Sequence, residues 1–302
     1  MAHLRCLLPV PALLLLPALL VCAQDNPYGA ITLYNRNPAQ GDAMVLQWRS
    51  LQPDCVPLYI ADTVKIPFFR LGDSYLAVYG RDLRLPPGRV VLPIILSVRG
   101  ARKQTSMAVS FASRRFASRR LPKSIKRGKV RTAEEKARRA RERDQLNKAL
   151  AHRVDKAYFL DGFRRPIQPS EPREYHSFGK RTIMGKEELS RHKGVDISRP
   201  KGTSVCTPMS GEVVLCGRDF FYEGNLLIIA HGPGMFTIFC HVHRFAVKPG
   251  DIVGAGDVVA TVGSSGRATG PHLHWQIKYY GRDVNPLSFA FINQAVAPIF
   301  AQ

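Results

Sequence analysis

The chain is poor in acidic residues, in tryptophan and in cysteine. Its 302 residues include 23 Asp and Glu against 44 Lys and Arg, with only 2 Trp and 6 Cys. The resulting net charge of +21 favours association with polyanions such as nucleic acid, anionic lipid or charged cell-wall polymer, but it does not bear on the fold. No Cys-x-x-Cys spacing occurs, which argues against a zinc site built from cysteines.

Long hydrophobic runs are also scarce, except near the amino terminus, where residues 6–22 are almost wholly apolar. We predict a secretory signal peptide over residues 1–23, cleaved before Gln24, and hence an exported protein. A membrane anchor is disfavoured because the run contains three prolines and a spanning helix needs about 20 residues. Lipidation of Cys22 is a further alternative, which the bulky Val21 before it disfavours.

Removal of the signal peptide leaves four cysteines. Disulfides are permitted outside the cytoplasm, and four cysteines allow three pairings, so the pairing stays open. Two of the four flank a predicted turn at residues 210–211 and could face each other across it. The four are Cys55, Cys206, Cys216 and Cys240, and the two that flank the turn are Cys206 and Cys216.

Residues 24–112 are predicted to form a small β-sandwich, because short strand candidates alternate with turn signals. The candidates are residues 43–48, 75–79 and 90–98, and Pro93 in the last of them favours an edge or a bulge. No cluster of catalytic residue types occurs in this part of the sequence.

The next segment, residues 113–160, is predicted to be a basic linker that contains a helix. Between Arg114 and Arg153 there are 16 Lys and Arg against 4 Asp and Glu, so +12 of the net charge lies here. Residues 132–151 are rich in good helix formers, and Thr132 is placed to cap the helix start. We favour a solvated linker helix over a polybasic arm that binds anionic wall polymer or a membrane surface. Nucleic-acid binding is disfavoured because aromatic residues are not interleaved with the basic ones.

Residues 161–302 are predicted to form an antiparallel β domain. Short apolar runs are separated by Gly, Pro, Asn and Asp, and no long helical period occurs. The glycine-rich stretch at residues 263–270 is not a phosphate-binding loop, because no Lys-Ser/Thr follows at the required spacing. The chain is therefore predicted to be mainly β, with two modest domains joined by a basic helical segment.

Two histidines in this domain lie two positions apart in a predicted strand, at His272 and His274. Residues two apart point to the same face of a strand, so both imidazoles are directed into the same space. About 80 residues earlier, His192 and Asp196 stand four positions apart around Gly194. Two imidazoles and a carboxylate are a common open zinc site that leaves one position for water. Spacing alone does not decide which of the paired histidines would bind the metal.

This order of motifs, His-x-Gly-x-Asp followed by Gly-Pro and His-x-His, resembles the lysostaphin/LytM-type zinc endopeptidases, which cut peptidoglycan cross-links. The resemblance covers roughly residues 160–292, about half of the chain after the signal peptide. The region before the basic segment resembles, by pattern alone, the β domain that often precedes the peptidase in secreted members. Further matching pieces are residues 177–181, 211–214, 225–232, 262–270 and 284–286.

The resemblance implies a metal role for three residues and a catalytic role for two. One Zn²⁺ per chain is expected, bound by His192, Asp196 and His274. The resemblance implies catalytic roles for His272 and for His241, which lies in an aromatic-x-His-hydrophobic segment. His243 falls at the same strand parity as His241 and stays its competitor.

The implied activity is hydrolysis of peptide bonds in peptidoglycan, with peptide stems as the partner and the periplasm, cell envelope or extracellular space as the location. Arg267 and Asn225 are predicted to lie at the substrate rim. One alternative is a metal-free relative that activates another wall hydrolase, although such a protein should lack one or more ligands. Another is a surface adhesin. The bond cleaved, the oligomeric state and the role of the N-terminal domain stay open.

Overall fold

The structure is a computed structural model that describes residues 27–122, 132–167 and 177–300. The predicted signal peptide and Cys22 lie outside these residues. The chain is mainly β, as predicted. In the described part of the chain, no helix combines the length and the apolar character that a membrane crossing requires.

The chain divides into two compact units. The N-terminal unit holds the described residues 27–114 and 288–300, and the second unit holds residues 115–287. We call the second the histidine unit, because it contains every described histidine. The predicted domain boundaries stay a prediction. The two α-helices are α1 (Ala133–Leu150) in the histidine unit and α2 (Ile292–Phe300) in the N-terminal unit.

The N-terminal unit consists of eight strands in two four-stranded antiparallel sheets. The strands are β1 (Gly29–Tyr34), β2 (Ala43–Ser50), β3 (Cys55–Ala61), β4 (Lys65–Pro67), β5 (Phe69–Leu71), β6 (Ser74–Gly80), β7 (Gly88–Val98) and β8 (Ala101–Phe111).

One sheet has the order β1-β2-β6-β5 and the other β4-β3-β7-β8, and strands of one sheet contact strands of the other. Strand β2 is buried along most of its length, including Met44, Leu46 and Trp48, and α2 contacts both β1 and β2. The arrangement fits the predicted small sandwich.

Pro93 lies in β7, an interior strand rather than an edge strand. The pairing of β7 with β3 ends at Ile94, so Pro93 faces a neighbouring strand only on the β8 side, where it is opposite Ser106. A proline without an N–H is tolerated there because one side of the strand needs no ladder hydrogen bond at this position.

In its described residues the histidine unit carries thirteen strands and a short 3-10 helix at Tyr158–Asp161. A further 3-10 helix at Pro286–Phe291 begins in this unit and ends in the N-terminal unit. The strands are β9 (Ser118–Leu121), β10 (Arg181–Met184), β11 (Glu187–Arg191), β12 (Val195–Ser198), β13 (Ser204–Cys206), β14 (Gly211–Phe220), β15 (Gly224–Gly232), β16 (Met235–Cys240), β17 (Val242–Phe245), β18 (Ile252–Val253), β19 (Val258–Val262), β20 (His272–Tyr279) and β21 (Arg282–Val284).

The main sheet of this unit has seven strands in the order β12-β20-β16-β15-β14-β18, with β21 on β20, and all its pairs are antiparallel. Two three-stranded sheets accompany it, β11-β10-β9 and β13-β19-β17. Buried side chains of β15 and β16, such as Ile228 and Ile238, form the core beneath the main sheet.

Helix α1 differs from the solvated linker helix expected from its charge. Its start is capped as predicted, because Thr132 and Glu135 exchange side chain–backbone hydrogen bonds. Its few apolar residues, Leu146, Ala149 and Leu150, share one face and pack against the core cluster of the histidine unit. Binding of polyanions by the basic segment stays a prediction.

No disulfide joins the four cysteines that the structure describes. The expectation that Cys206 and Cys216 could face each other is wrong. Cys206 is opposite Val258 on β19, whereas Cys216 is opposite Leu227 on β15, so the two thiols belong to different sheets.

Candidate metal centre

The candidate site lies where β12 pairs with β20. The antiparallel register sets Asp196 directly opposite His274 and Ser198 opposite His272. Directly opposed side chains share a face of the sheet, so Asp196 and His274 meet on the same side. Leu273, between the two histidines, is fully buried.

His192 reaches the same place from the turn between β11 and β12. The backbone at Gly194 passes so close to β20 that a Cβ there would lie 2.3 Å from the carbonyl oxygen of Trp275. It would also lie 3.0 Å from Cε1 of His274. A glycine is therefore needed between the histidine and the aspartate, which gives a physical reason for the His-x-Gly-x-Asp pattern.

Three potential ligand atoms converge at this point. His192 Nε2 lies 3.0 Å from His274 Nδ1 and 3.0 Å from Asp196 Oδ1, and His274 Nδ1 lies 2.9 Å from the same oxygen. Ligand atoms around a tetrahedral zinc ion, with bonds of about 2.0 to 2.2 Å, lie about 3.3 to 3.6 Å apart. The donor types and their spacing fit a metal ion, and these three residues could hold one.

Ser177 supports two of these three residues, His192 and Asp196. The sequence motifs do not predict this role. Its carbonyl oxygen accepts a hydrogen bond from His192 Nδ1 at 2.9 Å, and its hydroxyl accepts one from the backbone N–H of Asp196 at 2.8 Å. Because a carbonyl can only accept, His192 carries its proton on Nδ1 and keeps the Nε2 lone pair for the cluster. The indication of this role in the sequence is that residues 177–181 match the family pattern.

Two further histidines flank the cluster. His272 Nε2 lies 4.0 Å from Asp196 Oδ1, and the ring of His241 lies 4.7 Å from that of His272 between centroids. His272 Nδ1 bonds the carbonyl of Gly270, and His241 Nδ1 bonds the carbonyl of Ser265, each at 2.9 Å. Both rings are thus protonated on Nδ1 and keep an Nε2 lone pair.

His241 has a left-handed backbone, with φ of 62°, between the end of β16 and the start of β17. Such a conformation in a residue other than glycine costs roughly 1 to 3 kcal/mol and often accompanies function. It also interrupts the strand alternation, so His241 and His243 do not share a face by parity. His243 instead lines an open surface pocket with Lys201, Gly202, Arg244 and Thr261.

The site favours an ionised Asp196 and lowers the pKa of two of its imidazoles. Removal from water alone would raise the pKa of Asp196, but its contacts with His192 and His274 outweigh this effect and hold the pKa well below its ordinary value. Burial lowers the pKa of His274 and of His241, against the opposing effect of their hydrogen bonds. Neutral imidazole is the form that binds a metal or accepts a proton.

Of the two predicted rim residues, Arg267 lies on the loop between β19 and β20, and Asn225 lies at the start of β15. Arg267 is exposed, and its backbone N–H donates to the carbonyl of Tyr222 at 3.0 Å. The side chain of Asn225 accepts from the backbone N–H of Asp219 and donates to the carbonyl of His243. Its polar atoms therefore serve the turn between β14 and β15, and contact of either residue with a substrate stays a prediction.

Comparison with known proteins identifies the class. Residues 190–286 match Peptidase family M23, and this segment contains all five clustered residues. Over this segment the chain matches the family, and the resemblance to the LytM-type family predicted from the motifs is confirmed.

The chain is similar to curated relatives of two kinds. It is 35% identical over 135 residues to the peptidoglycan DD-endopeptidase ShyA of Vibrio cholerae. The aligned residues make up 45% of this chain and 30% of ShyA. It is 36% identical over 98 residues to the murein hydrolase activator NlpD of Salmonella dublin. The aligned residues make up 32% of this chain and 26% of NlpD. The chain therefore spans less than a third of either relative.

A crystal structure described as a peptidase M23 from Pseudomonas aeruginosa shares the fold. The match has a TM-score of 0.60 and 24% identity, and it covers 85% of this chain and 96% of that one. At this identity the likeness bears on the fold alone.

Proposed function

We propose that the protein is an exported, zinc-dependent endopeptidase that hydrolyses peptide cross-links in peptidoglycan. The observation that carries the proposal is the convergence of His192, Asp196 and His274 beside two histidines that each keep a free Nε2. Membership of the M23 family and the similarity to ShyA support the substrate class.

The three clustered residues would hold the zinc ion in an open site. Bound zinc would polarise the scissile carbonyl and lower the pKa of a water ligand to around 7. Asp196 contributes the negative charge of the site, and Ser177 orients His192 and the backbone of Asp196.

His241 and His272 supply the proton chemistry. The Nε2 atom of either ring can accept a proton from the attacking water, while Nδ1–H stays bonded to a carbonyl. Once protonated, the same nitrogen donates to the oxyanion of the tetrahedral intermediate or to the leaving amine. Each histidine is expected to contribute about 10²- to 10⁴-fold to the rate.

The second candidate is an activator of another wall hydrolase, which the similarity to NlpD favours. An activator needs a binding surface but no zinc and no acid–base histidines. The complete ligand set and the Nδ1 hydrogen bonds that orient both accessory histidines support the enzyme instead.

Solubilisation of purified peptidoglycan tests the proposal. Wild-type protein should release peptide fragments, chelator should stop the release, and added zinc should restore it. His274→Ala should be inactive and zinc-free by elemental analysis, whereas His243→Ala should retain both properties. Equal clearing by wild type, chelated protein and His274→Ala would contradict the zinc mechanism. A folded, zinc-loaded wild type that clears nothing alone but accelerates a second hydrolase would establish the activator.

A further inference from the structure

The turn that joins β14 to β15 is held from outside the sheet by helix α1. Glu142 accepts a hydrogen bond from the backbone N–H of Phe221 at 3.0 Å and another from Arg138 Nε at 2.8 Å. Arg138 in turn donates to the backbone carbonyl of Asp219 and lies 3.2 Å from its carboxylate. The Glu142 side chain is only 14% exposed, so its contact with Phe221 is largely shielded from water, whereas the Asp219 side chain is 91% exposed.

A cation–π contact adds to this attachment. The guanidinium of Arg139 lies 4.6 Å from the ring centroid of Tyr222, the residue that follows Phe221. Arg138, Arg139 and Glu142, which lie within about one and a half turns of α1, thus contact Asp219 near the end of β14 and Phe221 and Tyr222 in the turn.

The same turn holds His241. The backbone N–H of His241 donates to the carbonyl of Glu223 at 2.8 Å. On the other side, Ser265 accepts from His241 Nδ1 through its carbonyl and from the backbone N–H of Asn225 through its hydroxyl. The strained backbone of His241 is therefore clamped between the turn and the loop that carries Ser265.

We propose that α1 is a positioning element of the active site and that Glu142 is a positioning residue for His241. The helix fixes the backbone at Phe221, two residues before the carbonyl that holds His241. This inference rests on the proposed function, in which His241 is an acid–base group. It gives the basic segment a role that its charge alone does not predict.

The contacts that dock α1 on the core and the contacts that hold the β14–β15 turn are made by different residues of the helix. Leu146, Ala149 and Leu150 anchor the carboxyl-terminal half of α1 in the apolar core, and Glu142 takes no part in that packing. Removal of Glu142 should therefore leave the helix docked while the turn loses its acceptor. A glutamine at this position can still accept from Phe221 N–H, although it loses the charge that attracts Arg138.

The test compares Glu142→Ala, Glu142→Gln and Asp144→Ala in the full-length, zinc-loaded protein. Asp144 is the matched control, because its carboxylate is 61% exposed and pairs with Lys148 of the same helix. We expect Glu142→Ala to lower kcat about tenfold with little change in KM, since small displacements of an acid–base group reduce its contribution. Glu142→Gln should recover most of the rate, and Asp144→Ala should match wild type.

A second readout does not depend on catalysis. The imidazole resonances of His241, measured by NMR, should shift or broaden in Glu142→Ala and return in Glu142→Gln, while those of the buried His231 stay unchanged. Unmoved His241 resonances in Glu142→Ala would overturn the inference, whether or not the rate falls. If wild type cleaves no peptidoglycan, the proposed function fails, and the NMR comparison still decides whether Glu142 positions His241.

Discussion

The two units of the chain use the same antiparallel sheets but treat their carboxylates differently. In the N-terminal unit, Asp42 is 9% exposed on its side chain and has both oxygens 2.8 Å from the Arg114 guanidinium. In the histidine unit, Asp196 is 40% exposed and faces imidazoles instead of a permanent cation. A carboxylate locked by arginine serves the fold, whereas a carboxylate that faces imidazoles at an open surface could bind a metal.

Histidines repeat the contrast within a single unit. His231 is fully buried, and both its ring nitrogens are bonded, to the carbonyl of Ser210 and to the hydroxyl of Thr237. His241 and His272 each commit only Nδ1. The difference lies in the unused lone pair rather than in residue type, and it separates structural histidines from those able to do chemistry.

The largest effect should come from exchanging the two carboxylates for amides. Asp196→Asn should reduce bound zinc from about one per chain to near zero and lower peptide release by on the order of 10³-fold or more, because the proposed metal site loses a charged ligand. Asp42→Asn should instead lower the free energy of unfolding by about 1 to 3 kcal/mol through loss of the pair with Arg114. Zinc analysis, peptidoglycan release and denaturant unfolding measure these effects.

The control is the rate of Asp42→Asn under conditions where it remains folded, which should lie within about twofold of wild type. A zinc-loaded, active Asp196→Asn, or an Asp42→Asn that is stable but inactive, would reverse the assignment of the two carboxylates.

The next effect should separate two histidines that sequence parity treats alike. His241→Ala should lower kcat by about 10² to 10⁴-fold while zinc stays bound, since the role proposed for His241 is acid–base catalysis and not metal binding. His243→Ala, in its own surface pocket, should change kcat by less than about threefold. Zinc-replete kinetics on peptidoglycan fragments measure both. A larger loss for His243→Ala would transfer the role to that residue.

Much of the site can be predicted from the sequence, because its geometry depends on residues that are close together along the chain. Residues two apart in a strand share a face whatever the tertiary structure, so the common direction of His272 and His274 could be predicted. The presence of Gly194 could be read as a motif, but its reason required the distance to Trp275.

Other features depend on contacts that no local pattern encodes. Ser177 acts through its backbone carbonyl, which any residue could provide. The left-handed φ of His241 depends on its tertiary surroundings and interrupts the strand alternation. That alternation is what makes His243 an equal candidate for the catalytic role in the sequence. The charge of helix α1 predicts a solvated linker, yet three apolar side chains on one face suffice to pack it against a core that the helix sequence alone does not reveal.

The smallest effect should be a pH-dependence of stability from His231. Burial lowers its pKa to about 4, against a reference of about 6.5 in the unfolded chain. The folded state therefore binds fewer protons between these values, so stability is fully present above pH 6.5 and falls as the pH decreases towards 4. The loss from this group should be about 2 kcal/mol between pH 7.5 and pH 5.

Glutamine at this position cannot titrate, so His231→Gln should be less stable than wild type at pH 7.5 but lose less stability on going to pH 5. The comparison is His152→Gln, because His152 is 37% exposed and pairs with Glu212 at the surface. Its unfolding at the same two pH values shows how much of any change comes from the loss of an exposed imidazole. Denaturant unfolding at both pH values gives the slopes, and equal slopes for wild type and His231→Gln would show that the buried histidine is charged in the fold. In that case a completed pair of hydrogen bonds would not distinguish a structural histidine from a catalytic one.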